Sequence, residues 1–179
     1  DLHSFPTRRS SDLSLYVANS GGYMVPDYDH TVSVIDLNTF TEERKIDVAP
    51  NLHRCRADRY GQLWVSSRGD YYGEPSHLCW LQKDASGQLQ RMGRIDVVVS
   101  DMCIVGDSLY YMGMQFNYET MKNERMLGII NVITHEVVNR QLTTAKEADS
   151  LIPHNYFSLS MVSSYSRAGN SKLRSEERR

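Results

Sequence analysis

The sequence predicts an all-β fold: a partial β-propeller of about three four-stranded antiparallel blades, each roughly 47 residues long. The first observation is a stretch that occurs three times, opening with LYV at Leu15, LWV at Leu63 and LYY at Leu109. The second is that no window holds a sustained apolar period of about 3.6 residues with caps at both ends, so no helix is predicted. A repeat of this length that is rich in short strands is typical of a propeller blade.

The elements of each repeat follow the same order along the chain. A short apolar and aromatic strand comes first, then a loop of variable length, a second apolar strand and a more polar outer strand. A further strand leads into the next repeat, and turn residues at 58–61, 84–87 and 106–107 fall between strands. We therefore predict blades at 14–48, 52–97 and 101–142, with the start of another blade at 152–161.

The two ends of the chain, residues 1–13 and 163–179, are predicted to lie outside the propeller. The opening DLHSFPTRRSSDL and the ending RSEERR resemble translated sequencing-adapter reads, and natural polar tails are the alternative. A propeller ring closes with about four to eight blades. We therefore expect the middle of the chain to be a fragment of a larger ring.

Composition and charge exclude several classes of function. The chain carries 22 acidic and 20 basic side chains, for a net charge of −2, and its basic residues do not cluster as nucleic-acid binding requires. No apolar run is long enough for a transmembrane segment. Cys55, Cys79 and Cys103 form no CxxC pattern, so small buried thiols are expected. We expect no cofactor and no metal, because the histidines and carboxylates match no metal-binding spacing.

The first repeat also carries a resemblance to a known family. Its segments LYVANSGG, TVSVIDLNT and KIDV resemble the blades of the YVTN-repeat β-propellers, a bacterial family related to the YncE-like proteins. The likeness is weaker in the second repeat, where Trp64 replaces the tyrosine, and it spans roughly 14–161. It implies a propeller that is exported to the periplasm or the cell surface, often as a lipoprotein. The family has no shared catalytic motif, so the resemblance implies no active-site residue.

Candidate binding residues come from the loops in which the repeats differ most, at 19–30, 67–77 and 115–126. In a propeller these loops share one rim with the segments that lead into the innermost strands, and variable loops on a rigid scaffold commonly carry binding. Tyrosine rings and carboxylates suit a hydroxyl-rich or cationic ligand, although such residues also pack among themselves in loops. The candidates are Tyr28, Asp29, His30, His53, Arg54, Asp70, Tyr71, Tyr72, Asp101, Tyr118 and His154.

Two functions fit these features. The first is a non-enzymatic, exported propeller that binds a small molecule, a glycan or a protein through its rim loops. The alternative is a metal-dependent hydrolase or lyase, similar to propeller lactonases, with its site in the central channel. That enzyme needs side chains converging from several blades, for which His53, Asp101 and His154 are the candidates. No GxSxG, HExxH, P-loop or GxGxxG motif occurs, so no catalytic residue is assigned and the binding function is favoured.

Overall fold

The computed structural model describes residues 14–139, 151–154 and 158–161, and this part of the chain is all-β, as predicted. It contains no helix, and so none that could cross a membrane. The strands are β1 (Ser14–Ala18), β2 (Thr31–Asp36), β3 (Thr41–Asp47), β4 (Leu52–Ala57), β5 (Leu63–Ser67), β6 (His77–Lys83), β7 (Leu89–Ile95), β8 (Asp101–Val105), β9 (Ser108–Asn117), β10 (Lys122–Asn131), β11 (Val137–Asn139), β12 (Leu151–His154) and β13 (Ser158–Met161).

The strands form four antiparallel sheets in chain order. The first sheet is β1–β2–β3, the second is β4–β5–β6–β7, the third is β8–β9–β10–β11, and β12 pairs with β13. Each strand lies beside its sequence neighbour, which is the up-and-down order of propeller blades. The first sheet holds three strands rather than the predicted four. The two predicted tails, 1–13 and 163–179, lie outside the described residues, and so do the last residues of the third predicted blade, 140–142.

The second sheet is packed between the first and the third. On β5, Leu63 and Val65 join a core cluster with Val32 of the first sheet, whereas Trp64 joins a cluster with Leu109 of the third. All five residues of β5 are buried, because both faces of this strand are covered. The strands β1, β4, β8 and β12 contact one another in succession, which places one strand of each sheet beside the next sheet.

Trp64 lies at the centre of the contact between the second and third sheets. Its indole Nε1 donates a hydrogen bond to Asp58 Oδ2 at 3.0 Å, and its ring centroid lies 5.6 Å from that of His135. His135 stacks on Trp80 with ring centroids 4.4 Å apart, and its Nε2 lies 2.7 Å from Gln62 Oε1. A large aromatic core side chain is therefore joined to polar groups that connect the two sheets.

The prediction of a third variable loop at 115–126 is wrong. Strands β9 and β10 continue through most of it as a two-stranded ribbon, with Asn117 paired opposite Lys122, and only 118–121 form the turn. The ribbon extends past β8, whose pairing with β9 ends at Met112. Asn117 Oδ1 accepts hydrogen bonds from the amides of Glu119 at 2.8 Å and Thr120 at 3.2 Å. This Asx turn closes a tight hairpin and lets the strands continue.

The segment predicted to begin another blade, 152–161, contains two paired strands. They are β12 and β13, with His154 opposite Ser158. His154 therefore ends the first strand of its sheet, where Ala57 ends β4, whereas Asp101 begins β8. The side chain of His154 lies outside the described residues, and its place at the rim stays a prediction.

Candidate ligand-binding rim

Three loops lie together at one end of the first two sheets, and we call them the rim: 19–30, 48–51 and 68–76. Asn51 joins them, since its amide donates to the Asp29 carbonyl at 2.9 Å and its own carbonyl accepts from the Arg68 amide at 3.0 Å. Its side-chain amide also donates to the Gly69 carbonyl at 3.3 Å. Asn51 is buried and has a φ of 55°, a conformation that asparagine tolerates better than most residues. The rim is thus a hydrogen-bonded unit and not three separate loops.

The first loop of the rim contains three predicted binding residues in different environments. Tyr28 is buried, and its ring meets the Tyr71 ring edge to face, with centroids 6.1 Å apart. Asp29 Oδ1 accepts hydrogen bonds from the amide and the hydroxyl of Thr31, at 2.7 and 2.6 Å. Partial burial alone would raise the pKa of Asp29, but these bonds hold it below its ordinary value. Asp29 therefore shapes the loop, while His30 is exposed.

The second sheet's loop is shaped by Asp70. Its Oδ1 accepts hydrogen bonds from the amides of Tyr72, Gly73 and Glu74, at 2.8, 2.7 and 2.8 Å. The carboxylate therefore already has partners within its own loop. Tyr71 and Tyr72 are 67% and 77% exposed. Two solvent-exposed tyrosines therefore lie on a loop whose backbone is fixed by hydrogen bonds.

Acidification is expected to loosen this loop. The amide bonds, first of all that from Gly73, hold the pKa of Asp70 below its ordinary value, which is about 4 for aspartate. Their contribution to stability is therefore complete above about pH 4 and is lost as the pH falls through the lower, folded value. An NMR titration of the Gly73 amide should show a midpoint below 4 that disappears in Asp70→Asn. A midpoint at or above 4 would contradict this assignment.

A charged cluster lies where β4 leaves the rim. The pairing of β4 with β5 shifts register between Leu52 and Arg54, which places His53 at a β-bulge. His53 Nε2 lies 3.2 Å from Arg68 Nη2. Arg54 Nε lies 3.5 Å from Asp101 Oδ1, and this ion pair joins β4 to β8. Burial, followed by the charges of Arg68 and Arg54, lowers the pKa of His53.

Tyr118 is not part of this cluster, and the side chain of His154 lies outside the described residues. Tyr118 is 82% exposed in the turn of the β9–β10 ribbon, where its ring packs edge-on against Phe116 at 5.1 Å between centroids. It lies on the third sheet, at the end where β8 begins, and the described contacts do not join it to the rim.

The lactonase-like alternative would need several metal ligands at one place. Within the described residues, no three histidine, cysteine, aspartate or glutamate side chains lie close enough together to hold a metal ion. His53 and Asp101, two of its candidates, instead contact arginines. The cysteines are free thiols on strands, and burial raises the pKa of Cys79 and of Cys103 to about 11. Burial therefore disfavours the nucleophilic thiolate form of Cys79 and Cys103 at neutral pH.

Sequence reasoning missed Arg68, whose side chain completes the charged cluster. It comes directly after β5 in the second variable loop, so its position at the rim could be read from the repeat. Its contact with His53, however, depends on the bulge in β4, which has no clear signal in the sequence. No model of a known protein family matches the chain, and no curated protein matches it significantly. Membership of the YVTN-repeat family therefore stays a prediction.

Proposed function

We propose that this chain is part of a non-enzymatic binding propeller of the YVTN-repeat type, whose rim recognises a hydroxyl-rich ligand, in the first place a glycan. The observation that carries the proposal is the pair of exposed tyrosines, Tyr71 and Tyr72, beside the anchoring carboxylate of Asp70. Export to the periplasm or the cell surface is part of the proposal and rests on the family resemblance alone.

The chemistry of the rim supports a sugar ligand over an apolar one. A tyrosine ring offers an apolar face to the C–H face of a sugar ring, and its hydroxyl can bond to the sugar hydroxyls. Tyrosine has only two side-chain torsions, so that little conformational entropy is lost on binding. The backbone beneath is already ordered by the three bonds to Asp70, which reduces the cost further.

The double variant Tyr71→Ala with Tyr72→Ala is expected to weaken glycan binding by about tenfold or more, because tyrosines at binding hot spots contribute roughly 1–2 kcal/mol each. The melting temperature should hardly change, since both side chains are mostly exposed. Glycan-array screening of the protein, followed by calorimetry with the glycans that bind, measures the first effect. Thermal unfolding measures the second.

A matched control is Phe40→Ala. Phe40 is 74% exposed and has a φ of 55°, close to the 65° of Tyr71, but it lies in the β2–β3 turn at the opposite end of the first sheet. Its removal should leave glycan binding unchanged. A double variant that lowers the melting temperature and retains full binding would overturn the proposal, as would an array on which the unaltered protein binds no glycan.

A further inference from the structure

We propose that Arg68, positioned by His53 and acting with Arg54, binds an oxyanion at the inner side of the rim, so that the favoured ligand is an acidic sugar and not a neutral one. The group would be a carboxylate, as in a uronic acid, or a phosphate ester. This inference rests on the proposed glycan function and names the class of glycan.

The first argument is the balance of charge in the cluster. Arg54 is paired with the Asp101 carboxylate, which is buried. Arg68 is exposed, and no carboxylate among the described residues lies within ion-pair distance of its guanidinium. The cluster therefore contains two guanidinium groups, of Arg54 and Arg68, and one carboxylate, of Asp101. The cluster has an excess of positive charge on a chain whose net charge is negative.

The second argument is the orientation of Arg68. Burial and the two guanidinium charges favour the neutral form of the His53 ring, so its Nε2 can accept a hydrogen bond from Arg68 Nη2 at 3.2 Å. The backbone of Arg68 is held as well, by its amide bond to the Asn51 carbonyl. A guanidinium has five N–H donors in a planar fork. Most of those donors stay available, in an orientation that the protein has already set.

The third argument is the position of the cluster relative to the tyrosines. Asn51 holds the backbone of both Arg68 and Gly69, and the loop continues directly into Asp70 and the exposed Tyr71. The proposal therefore requires a ligand ring that contacts the tyrosines to carry its acidic substituent on the side of Arg68. The planar guanidinium matches a carboxylate or phosphate through two parallel hydrogen bonds, which are roughly twice as strong as neutral ones.

The test is an NMR titration of ¹⁵N-labelled protein at constant ionic strength with three probes: sodium galacturonate, sodium phosphate and neutral galactose. Galacturonate, phosphate or both should shift the side-chain signals of His53 and Arg68 saturably and more strongly than galactose does. The anion that saturates at lower concentration identifies the source. Arg68→Gln should weaken this binding by about tenfold or more, as expected for a charged hydrogen bond. Arg68→Lys keeps the positive charge but lacks the planar guanidinium. Its anion affinity should lie between those of the unaltered protein and Arg68→Gln.

Arg56→Gln is the control, because Arg56 is an exposed arginine on β4, the strand of His53 and Arg54, and its guanidinium donates to the Cys55 carbonyl. Equal anion affinities of Arg68→Gln and Arg56→Gln, or no saturable shift with either anion, would overturn the anion site. Neutral glycan binding that depends on Tyr71 and Tyr72 would then still support the proposed function. Conversely, anion binding at Arg68 with no effect of the double tyrosine variant on glycan binding would overturn the proposed function and leave the anion site standing.

Discussion

Replacing Trp64 with alanine is expected to lower the free energy of unfolding by about 3 kcal/mol or more, the range for large aromatic core truncations. Trp64 is fully buried, and its ring fills the space between the second and third sheets against Trp80 and His135. The substitution leaves a cavity there and also removes the indole donor of buried Asp58. Chemical denaturation followed by circular dichroism measures the loss.

Trp64→Phe separates the two contributions. Phenylalanine keeps much of the ring but has no N–H, so it removes the hydrogen bond to Asp58 Oδ2 and opens a smaller cavity. We expect its destabilisation to lie clearly below that of alanine. A change below about 0.5 kcal/mol for Trp64→Ala would mean that the ring is not part of the core, and would contradict the packing of the second sheet on the third.

The strands were predictable because their signals are local. Alternation, β-branched and aromatic residues and turn residues all lie within a few positions of each other, and the repeat supplies each signal again. The turn at 58–61, for example, closes through the bond from the Gly61 amide to the Asp58 carbonyl, as its residue types suggest. The burial of Trp64 was likewise predictable from its place in the repeat. The all-β class needed nothing beyond these local features.

The β9–β10 ribbon shows where local signals mislead. Residues 115–126 are mostly polar, which resembles a loop, yet Met114 and Phe116 alternate with polar neighbours and the strands remain paired. The pairing of the two strands and the Asx turn of Asn117 stabilise the hairpin, while Met114 and Phe116 on one of its faces are 50% and 39% exposed. Amino-acid composition reflects how exposed a segment is. Because an exposed β-ribbon and an exposed loop are both polar, composition alone does not distinguish them.

The candidate site was predicted in its position more than in its chemistry. Tyr71 and Tyr72 are exposed at the rim, as the loop pattern suggested, but the carboxylate of Asp70 serves the loop itself. The roles of Asn51 and Arg68 depend on contacts across 15 or more residues, with Gly69 and His53 respectively. The contact of His53 depends on the register shift in β4. A register shift arises from the pairing of two strands, so the sequence of one strand does not predict it.

Gly69→Ala is expected to destabilise the protein by about 2 kcal/mol or more and to disrupt the second loop of the rim. Gly69 has a φ of 71°, where an L-residue costs roughly 1–2 kcal/mol. A Cβ atom there would also overlap the Glu74 carbonyl oxygen, which accepts the Asp70 amide. The backbone would have to move away, and the bonds that orient Tyr71 would be lost. Denaturation and NMR of the loop amides measure the two effects.

Gly22→Ala is the matched comparison, because it separates conformational strain from steric overlap. Gly22 has a φ of 59° and lies in the first loop of the rim, but nothing lies within 4 Å of the position of an added Cβ. Its variant should therefore show the conformational cost alone, roughly 1–2 kcal/mol, and leave the amide signals of the loop around Asp70 in place. Equal losses in the two variants would mean that the second loop relaxes freely around a side chain at Gly69. Because the proposed recognition of a glycan requires this loop to be held in advance, that outcome would remove the physical basis for assigning recognition to Tyr71 and Tyr72.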